Sequence, residues 1–353
     1  MTSASKQVPS ASAPLRIGVL GGAKIARQFC RDVAPSTAVR VVAVGSRSDA
    51  SAQAFAEAQG IPRWHGSYEA LLADPEVDAI YLPLPNSLHA EWAMAAAREG
   101  KHVLCEKPLA LSAADASAMF ATARANGVML LEAYPWWFQP QTADLQALLM
   151  GGAIGEVRSV QACFGFSLGD AATNIRMKPE LGGGALLDAG SYTLSLIRLV
   201  MGETPVRVSA EASWAESGVD ISLMATLVFA DGRRAQLSCA MDVANHRHAT
   251  IVGTRGTIET EYLNHTSDGP GHPWGYLPSA MRVRRGVANT VPFEPIRSAS
   301  GSGFRFGAEA FARVVAARDQ AAIDRAAQAS VDIAATLEAI ALSAREGRAV
   351  SLA

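Results

Sequence analysis

The segment from about residue 184 to 201 carries polar side chains at helical spacing within an otherwise apolar stretch. They are Asp188, Ser191, Tyr192 and Ser195, at positions i, i+3, i+4 and i+7. Because residues three and four apart share one side of a helix, the four lie on one face. A helix that is apolar elsewhere is buried, so this face meets either a polar cleft or solvent. In a cleft, a carboxylate and a phenol could exchange protons with a ligand.

An apolar run from residue 15 to 20 leads directly into a glycine turn. The turn reads Gly21, Gly22, Ala23, Lys24, Ile25 and Ala26, the dinucleotide-binding fingerprint with alanine in its second and third glycine places. The first glycine permits a tight turn, and a small residue in the second place lets backbone N–H groups reach a pyrophosphate. The Ala23 methyl group intrudes where glycine would not. The pattern predicts a dinucleotide site, with a purely structural turn as the alternative.

The end of the next apolar run, 39–44, bears on which dinucleotide binds. In NAD-selective proteins an acidic residue near this strand end contacts the ribose 2′-hydroxyl. Here the position holds Ser46, and Arg47 follows. A hydroxyl and a guanidinium would bind a 2′-phosphate, which a carboxylate would repel. We therefore expect NADP, with NAD as the alternative cofactor. In the competing interpretation, Arg47 is a solvated surface residue.

Two more segments follow predicted strands at their carboxyl ends, where open α/β sheets bind ligands. They are Glu106-Lys107-Pro108 and the aromatic segment 132–137. At these motifs the chain resembles, over nearly its whole length, the family of glucose–fructose oxidoreductase and inositol dehydrogenase (Gfo/Idh/MocA). The resemblance rests on the glycine turn, Leu82-Pro83-Leu84-Pro85-Asn86 with His89, Glu106-Lys107-Pro108, and Gly182-Gly183-Gly184-Ala185-Leu186-Leu187-Asp188.

The resemblance implies an N-terminal Rossmann domain joined to an α+β domain with an open, mostly antiparallel sheet. It also implies hydride transfer to or from a nicotinamide, often at a sugar carbon. Lys107 matches the family lysine near the substrate hydroxyl, and the bond to Pro108 is often cis in relatives. Asp188 would orient a substrate hydroxyl or hold Lys107. Residues expected at the cofactor are Gly21, Gly22, Ala23, Lys24, Ile25, Ser46, Arg47, Leu84, Asn86, His89, Glu106 and Lys107.

Many relatives have histidine where Tyr192 stands, and the tyrosine version resembles aldose (xylose) dehydrogenases and dihydrodiol dehydrogenases. A tyrosine has an ordinary pKa of about 10, which makes it a poor base at neutral pH. A nearby Lys107 ammonium would favour the phenolate and lower that pKa. Tyr192 could then take a hydroxyl proton as hydride leaves, or return it in the reverse direction. The expected substrate contacts are Trp137, Asn174, Arg176, Asp188 and Tyr192.

One residue departs from the family pattern. Relatives usually carry arginine at the position that aligns with Trp137. Contacts to the nicotinamide or the substrate would therefore be apolar or stacked here. In the alternative interpretation, Trp136, Trp137 and Phe138 form core between the domains.

Alternation of apolar runs with helical stretches up to residue 132 predicts a parallel sheet covered by helices on both faces. After residue 135 the pattern changes to alternating strands, with a hairpin turn at Asp231-Gly232 and a long final helix, about 307–345, broken near Asp319. We expect an α/β protein divided into a tail at 1–14, a Rossmann domain at 15–134, and a substrate-binding and oligomerisation domain at 135–353.

Composition excludes several classes of protein. The 353 residues hold 31 Lys+Arg against 33 Asp+Glu, so no basic excess exists to bind nucleic acid. No apolar run approaches the ~20 residues that span a bilayer, and the first residues lack the apolar core of a signal peptide. Four scattered cysteines are typical of a reducing compartment. We expect a cytoplasmic protein with a small-molecule substrate, forming a homodimer or larger homo-oligomer through its open sheet.

The leading hypothesis is an NADP-dependent oxidoreductase acting on a CH–OH group of a sugar or related polyhydroxylated molecule. One alternative is a trans-dihydrodiol dehydrogenase with a pocket lined by Trp136 and Trp137. An alternative of another class is a non-catalytic dinucleotide sensor. His246 and His248, with Cys239 on the preceding strand, match no metal-binding spacing, and we expect no metal.

Overall fold

The computed structural model describes residues 13–352, so most of the expected tail lies outside the described residues. The chain forms two large sheets. The first has six strands, all before residue 134, and the second has nine strands between residues 157 and 351. This division agrees with the predicted Rossmann domain followed by a domain with an open sheet.

The first sheet lies at the core of a parallel α/β layer structure. Its strands are β1 (Leu15–Leu20), β2 (Val39–Gly45), β3 (Arg63–His65), β4 (Ala79–Leu82), β5 (His102–Glu106) and β6 (Leu130–Ala133), and its helices are α1 (Lys24–Val33), α2 (Asp49–Gln59), α3 (Tyr68–Leu72), α4 (His89–Arg98) and α5 (Ala113–Ala125). The strand order β3-β2-β1-β4-β5-β6 reverses between β1 and β4. Ligands of open α/β sheets bind outside the carboxyl ends at such a reversal.

Serine side chains start three helices of this layer. Ser48, Ser67 and Ser112 each accept a hydrogen bond from the backbone N–H three residues later, at 3.3, 3.1 and 3.0 Å. Such N-caps satisfy donors that a helix start leaves unpaired. The first helix, α1, begins at Lys24 without a side-chain cap. Its amino end therefore differs from those of α2, α3 and α5, and it lies at the strand reversal.

The second half forms a mixed sheet, and two helices pack against one face of it. Its strands are β7 (Val157–Ser167), β8 (Arg207–Trp214), β9 (Asp220–Val228), β10 (Arg234–Ala240), β11 (Asp242–Gly253), β12 (Gly256–Glu261), the short pair β13 (Thr266–Ser267) and β14 (Leu277–Pro278), β15 (Ala280–Arg285), β16 (Glu294–Ile296) and β17 (Val350–Ser351), with helices α6 (Pro140–Met150), α7 (Ser191–Met201), α8 (Gly303–Ala317) and α9 (Gln320–Glu346). The predicted hairpin at Asp231-Gly232 joins β9 to β10. Because β10 pairs parallel with β7, the sheet is not a simple antiparallel meander.

One face of the second sheet is buried and the other is open. Leu196 and Ile197 of α7 and Leu337 and Ile340 of α9 pack into the core beneath it. The opposite face has no covering element within residues 13–352, and Met224 of β9 on this face is 69% exposed. An open, mostly antiparallel sheet of this kind is what the sequence predicted.

The C-terminal helices connect the two halves. Arg318, with φ +50°, separates α8 from α9, and Asp319 caps α9, so the predicted break is confirmed. Phe304 and Phe311 of α8 belong to the core of the first sheet, where Phe304 contacts Phe29. Packing thus crosses the boundary placed at residue 134. Within residues 13–352 no helix is long and apolar enough to cross a membrane.

Candidate active site

A cleft of about 530 Å³ lies between the carboxyl ends of the first sheet and the second half of the chain. It brings together residues predicted from separate motifs. The lining from the first half comprises Ala23, Lys24, Ile25, Gln28, Pro83, Leu84, Asn86, Glu106 and Lys107, and that from the second half comprises Phe164, Phe166, Ile175, Arg176, Leu181, Gly182, Gly183, Gly184, Asp188, Tyr192 and Asn264. The start of α1, the lysine, and two residues of the polar helix face, Asp188 and Tyr192, therefore meet in one place.

The glycine turn leads into the part of the cleft lined by Ala23, Lys24 and Ile25. Gly21 has φ +102°, and a Cβ there would lie 2.8 Å from the Leu84 side chain. The turn delivers the chain into α1, whose N-cap residue Ala23 makes no side-chain hydrogen bond. Free N–H groups and the positive end of the helix dipole attract anions. Since Ala23, Lys24 and Ile25 also line the cleft, this helix start fits the pyrophosphate of a dinucleotide.

Ser46 and Arg47 lie at the end of β2, outside the cleft lining. The Ser46 N–H donates to the His65 carbonyl at 3.0 Å. Arg47 is exposed, and its charge opposes the burial that raises the pKa of Tyr68. The Tyr68 hydroxyl lies 3.7 Å from where a Cβ would stand on Gly21. Arg47 therefore borders the glycine turn, and its contact with a 2′-phosphate stays a prediction.

Lys107 is fixed by Asp188 across the cleft. A cis peptide bond precedes Pro108, and the Lys107 Nζ donates to Asp188 Oδ1 at 2.7 Å and to its carbonyl at 3.0 Å. The second carboxylate oxygen accepts from Arg176 Nε at 2.6 Å. Burial alone would raise the pKa of Asp188, but Lys107 and Arg176 hold it well below its usual range. The carboxylate thus stays ionised and holds both cations.

Tyr192 faces the Lys107 ammonium, which lies 4.5 Å from its ring centre. Its hydroxyl oxygen accepts a hydrogen bond from Asn264 Nδ2 at 3.1 Å. Burial raises the pKa of Tyr192 above its ordinary value, although Lys107 and Arg247 both act to lower it. The expectation of a lowered pKa is therefore wrong in its net direction, because burial of the phenol outweighs the nearby cations. At neutral pH Tyr192 holds its proton.

Glu106 is the last residue of β5, and Lys107 follows it directly in the sequence. Its Oε1 accepts from the Tyr81 hydroxyl at 2.7 Å. Burial raises the pKa of Glu106 to about 7, against the opposing effects of Tyr81 and Lys107. Glu106 therefore lines the cleft as a carboxyl group that is near its midpoint of ionisation at neutral pH.

His89 and Asn86 brace the wall of the cleft. The ring nitrogens of His89, at the start of α4, lie 2.9 Å from the carbonyl oxygens of Pro108 and Leu84. The side chain is fully buried and does not line the cleft. Asn86, which does line it, donates through Nδ2 to the Gly182 carbonyl at 2.8 Å. That hydrogen bond joins the first half to the glycine-rich loop of the second.

Gly184 is a position where the backbone demands glycine. Its φ is +112°, and a Cβ there would lie only 2.2 Å from Asp220 Oδ1. Asp220 in turn holds the next turn of chain by accepting the Leu186 N–H at 2.6 Å. We expect Gly184→Ala to lower the free energy of unfolding by about 3 kcal/mol, from backbone strain plus overpacking.

Chemical denaturation of the variant would measure this loss. Gly60→Ala is the matched control, since Gly60 also has positive φ, +66°, but no atom lies within 4 Å of its added Cβ. We expect a loss of about 1 kcal/mol there, from backbone conformation alone. Equal losses at the two glycines would contradict the steric argument.

Two residues expected at the substrate do not line the cleft. Trp137 is half-buried behind it, with its ring 5.1 Å from that of Tyr134, and its Nε1 has no hydrogen-bond partner. Trp136 is 1% exposed and donates to Ser195 Oγ at 3.0 Å. Asn174 caps a short turn by accepting the Arg176 N–H at 3.1 Å. The structure thus places Trp136 in, and Trp137 against, the core beneath the second sheet, and Asn174 beside Arg176 in the same loop.

Comparison with known proteins identifies the family. The model of an oxidoreductase family with an NAD-binding Rossmann fold (GFO_IDH_MocA) matches residues 15–134, and the GFO/IDH/MocA C-terminal domain matches residues 142–259. The chain belongs to the Gfo/Idh/MocA oxidoreductase family. A relative named D-xylose 1-dehydrogenase (NADP(+)) 2, from Haloferax volcanii, is 37% identical over 96% of this chain and 100% of its own length.

Two other members of the Gfo/Idh/MocA family are similar over most of the chain. A trans-1,2-dihydrobenzene-1,2-diol dehydrogenase from Danio rerio is 34% identical over 86% of this chain and 89% of its own length. The crystal structure of an aldose-aldose oxidoreductase from Caulobacter crescentus, complexed with glycerol, has a TM-score of 0.83 at 29% identity, covering 96% of this chain and 100% of that one. The resemblance seen in the sequence is therefore confirmed.

This Gfo/Idh/MocA site also contains residues that the sequence motifs did not predict. Phe164 and Phe166 of β7 form an aromatic wall, and Asn264 reaches the cleft from a loop. Arg247 of β11 lies behind Tyr192, with its guanidinium carbon 4.4 Å from the centre of the Tyr192 ring. A signal for Arg247 did exist: if His246 and His248 point to one face of a strand, the residue between them points to the other.

The histidines considered for a metal lie elsewhere in this family member. His248 Nδ1 is 3.0 Å from Cys163 Sγ on the open sheet face, whereas Cys239 is buried beneath the sheet. Residues 13–352 contain no group of three or more His, Cys, Asp or Glu placed to hold a metal ion.

Proposed function

We propose that this chain is an NADP-dependent oxidoreductase that transfers a hydride between the nicotinamide and a hydroxyl-bearing carbon of an aldose or related polyhydroxylated molecule. The observation that carries the proposal is the meeting of Lys107, Asp188 and Tyr192 in a cleft that also contains the uncapped start of α1. The family and the NADP in the name of the Haloferax relative support the cofactor assignment.

Lys107 and Tyr192 would act on the substrate oxygen. Burial lowers the pKa of Lys107, but Asp188 and Tyr192 together outweigh it and leave the pKa above its ordinary value, so the ammonium remains charged. In reduction, the protonated Tyr192 donates its proton to the carbonyl oxygen, and Lys107 stabilises the negative charge that develops there. In oxidation, the phenolate takes the hydroxyl proton. The cofactor, when bound, would supply the hydride as NADPH or accept it as NADP⁺.

The cleft suits a sugar because it combines an aromatic wall with a polar floor. Phe164 lies 5.5 Å from the Tyr192 ring, and Arg176 and Asn264 present polar groups to the same space. A sugar places C–H groups on its faces and hydroxyls around its edge, which matches such a cleft. A dihydrodiol would use Phe164 and Phe166, since the tryptophans of the original alternative lie outside the lining.

Initial-rate measurements would test the proposal. D-xylose, D-glucose, inositol, glycerol and a benzene trans-dihydrodiol would each be offered with NADP and with NAD. We expect an aldose to give the highest kcat/KM, and to do so with NADP. Preference for the dihydrodiol would select the alternative enzyme. No turnover across the panel in either direction, together with tight NADPH binding, would select the non-catalytic sensor.

Arg47 provides a test of the cofactor proposal. We expect Arg47→Ala to raise KM for NADP about tenfold and to leave KM for NAD unchanged, since only the former carries a 2′-phosphate for the guanidinium. Arg40→Ala is the control, because Arg40 is an exposed arginine on β2, seven residues before Arg47. Equal changes for the two cofactors would contradict a 2′-phosphate contact at Arg47.

We also propose that two copies associate through the open sheet face. A groove of about 640 Å³ crosses this face, and none of the residues predicted at the active site lines it. We expect Met224→Arg to lower the sedimentation coefficient to that of a monomer, because it puts a charge in place of an exposed apolar side chain on this face. Met150→Arg, at a methionine 82% exposed on another face, should leave assembly unchanged. A monomeric wild type would refute the proposal.

We further place the protein in the cytoplasm, because Cys30, Cys105, Cys163 and Cys239 are all free thiols.

A further inference from the structure

Arg247 is an unusual cation, because it lies among aromatic rings and not beside a carboxylate. Its guanidinium carbon is 4.4 Å from the ring centre of Tyr192, 4.5 Å from that of Phe164 and 4.6 Å from that of Tyr262. Asp188, the carboxylate of the site, forms its ion pairs with Lys107 and Arg176 and not with Arg247. Burial lowers the pKa of Arg247, and its Nε lacks a hydrogen-bond partner. Such a costly placement needs a reason beyond packing.

Asn264 connects Arg247 to the Tyr192 hydroxyl. Arg247 Nη2 donates to Asn264 Oδ1 at 3.2 Å, and Asn264 Nδ2 donates to the Tyr192 oxygen at 3.1 Å. Arginine has donors and no acceptor, so the amide oxygen of Asn264 must face it. The amide nitrogen is thereby turned toward the phenol. The Asn264 backbone is itself held, since its carbonyl accepts from Gln139 Nε2 at 2.7 Å and from Gly303 N–H at 3.0 Å.

This arrangement decides where the Tyr192 proton can point. A phenol oxygen that accepts an N–H from Asn264 cannot donate its own hydrogen to that amide group. The hydrogen is left for the cleft, which Tyr192 and Asn264 both line. When the phenol ionises, the same N–H and the Arg247 charge stabilise the oxygen anion.

We propose that Arg247, acting through Asn264, is a positioning residue that turns the Tyr192 hydroxyl toward the cleft and stabilises its ionised form. This inference rests on the proposed role of Tyr192 as proton donor and acceptor. The other charged or titratable groups around the phenol are Lys107 and Glu106 at the end of β5, Tyr81 of β4, Tyr134 after β6, Asp188 before α7, Arg176 in the preceding loop, and Tyr262 after β12. Arg247 is the cation that reaches Tyr192 from the second sheet.

The pH dependence of oxidation tests the proposal. Oxidation requires the phenolate, so kcat should rise with pH up to the pKa of Tyr192. We expect Arg247→Met to move this rise about one pH unit higher, which lowers kcat about tenfold at any pH on the rising limb. Arg247→Lys retains the charge but loses the planar guanidinium group, so its shift of the kcat rise should be smaller than that of Arg247→Met. Asn264→Asp should also move the rise of kcat to higher pH, because a carboxylate cannot donate a hydrogen bond to the phenol oxygen.

A second measurement does not depend on turnover. The near-ultraviolet absorbance of tyrosinate, followed in wild type minus Tyr192→Phe, isolates Tyr192 from the other five of the six tyrosines. At a fixed alkaline pH at which both proteins remain folded by circular dichroism, we expect Arg247→Met to reduce the ionised fraction of Tyr192 several-fold. An equal ionised fraction in wild type and Arg247→Met, including none in either, would overturn the proposal.

The matched control is Arg284→Met. Arg284 also stacks on an aromatic ring, with its guanidinium carbon 4.3 Å from the centre of Phe293, and its Nε also lacks a partner. Its replacement should leave unchanged both the pH dependence of kcat for oxidation and the ionised fraction of Tyr192. If wild type turns over no substrate, the proposed function fails while the titration still decides the role of Arg247. If Tyr192→Phe abolishes turnover but Arg247→Met alters neither measurement, the inference fails and the proposed function stands.

Discussion

Replacement of Lys107 by methionine is expected to lower kcat about 10³-fold in both directions. Methionine keeps most of the side-chain length and removes only the charge. The lost ammonium lies 2.7 Å from Asp188 Oδ1 and 4.5 Å from the centre of the Tyr192 ring. It is therefore the group placed to stabilise negative charge on an oxygen that Tyr192 protonates. Single-turnover oxidation of NADPH would measure the chemical step apart from product release.

Lys101 supplies a control with the same substitution. Lys101 is buried, whereas Lys107 is partly buried, and Lys101 donates to the carbonyl oxygens of Asp74 and Val77 at 2.7 and 2.8 Å. It precedes β5, whereas Lys107 follows that strand. Lys101→Met should reduce stability and leave kcat within about twofold, since its charge lies at the other end of the strand. NADPH binding, followed by fluorescence, should survive in both variants. A Lys107→Met enzyme as active as Lys101→Met would remove Lys107 from the reacting centre.

Short-range signals explain why much of the site could be predicted from the sequence. A turn after β1 needs a residue such as Gly21 that tolerates positive φ, and the strand ends that place Lys107 follow from the parallel order of the sheet. The spacing of Asp188 and Tyr192 likewise places both on one side of a helix. Each of these features depends on a few neighbouring residues, and Lys107, Asp188 and Tyr192 all line the cleft.

The polar helix face was predicted only in part, because the segment is not a regular α-helix. Leu186–Gly190 forms a π-helical turn before α7 begins at Ser191. Asp188 and Tyr192 reach the cleft, but Ser191 and Ser195 are fully buried. A π turn leaves no clear signature in residue types, since it arises from the packing around it.

Long-range packing explains what the sequence could not provide. The pKa of Tyr192 depends on how deeply both halves of the chain bury it, and no local motif contains that information. Asn264 occupies a loop, and its position depends on contacts with Gln139 and Gly303, each far away in the sequence. Residues of this kind become visible as part of a site only after the two halves are brought together.

Tyr192→Phe should lower kcat about 10³-fold, because it removes the proton donor and retains the ring. The phenol oxygen makes one hydrogen bond, from Asn264 at 3.1 Å, and the ring contacts with Phe164 and Tyr134 remain. The variant should therefore fold normally and bind NADPH as the wild type does. Its loss should appear in kcat and kcat/KM equally, as expected for an interaction made in the transition state.

Tyr262→Phe is the matched control for this substitution. Tyr262 is also buried and also stacks on Arg247, but its hydroxyl donates to the Cys163 carbonyl, at 2.8 Å, and not into the cleft. Its replacement should cost about 1 kcal/mol of stability, the value of one hydrogen bond, and leave kcat near that of wild type. A similar fall in kcat for both phenylalanine variants would mean that the aromatic packing matters and the Tyr192 proton does not.

The pH profiles of the two directions should separate the acid from the base role of Tyr192. Reduction needs the protonated phenol, so its rate should stay level through neutral pH and fall only as pH passes the pKa of Tyr192, which burial raises above its ordinary value. Oxidation needs the phenolate, so its rate should climb about tenfold per pH unit below that same pKa. In Tyr192→Phe, both the fall of the reduction rate and the rise of the oxidation rate with pH should disappear. Limbs that persist in that variant would assign the proton transfer to another group, for which Glu106, with a pKa of about 7, is the nearest candidate in the cleft.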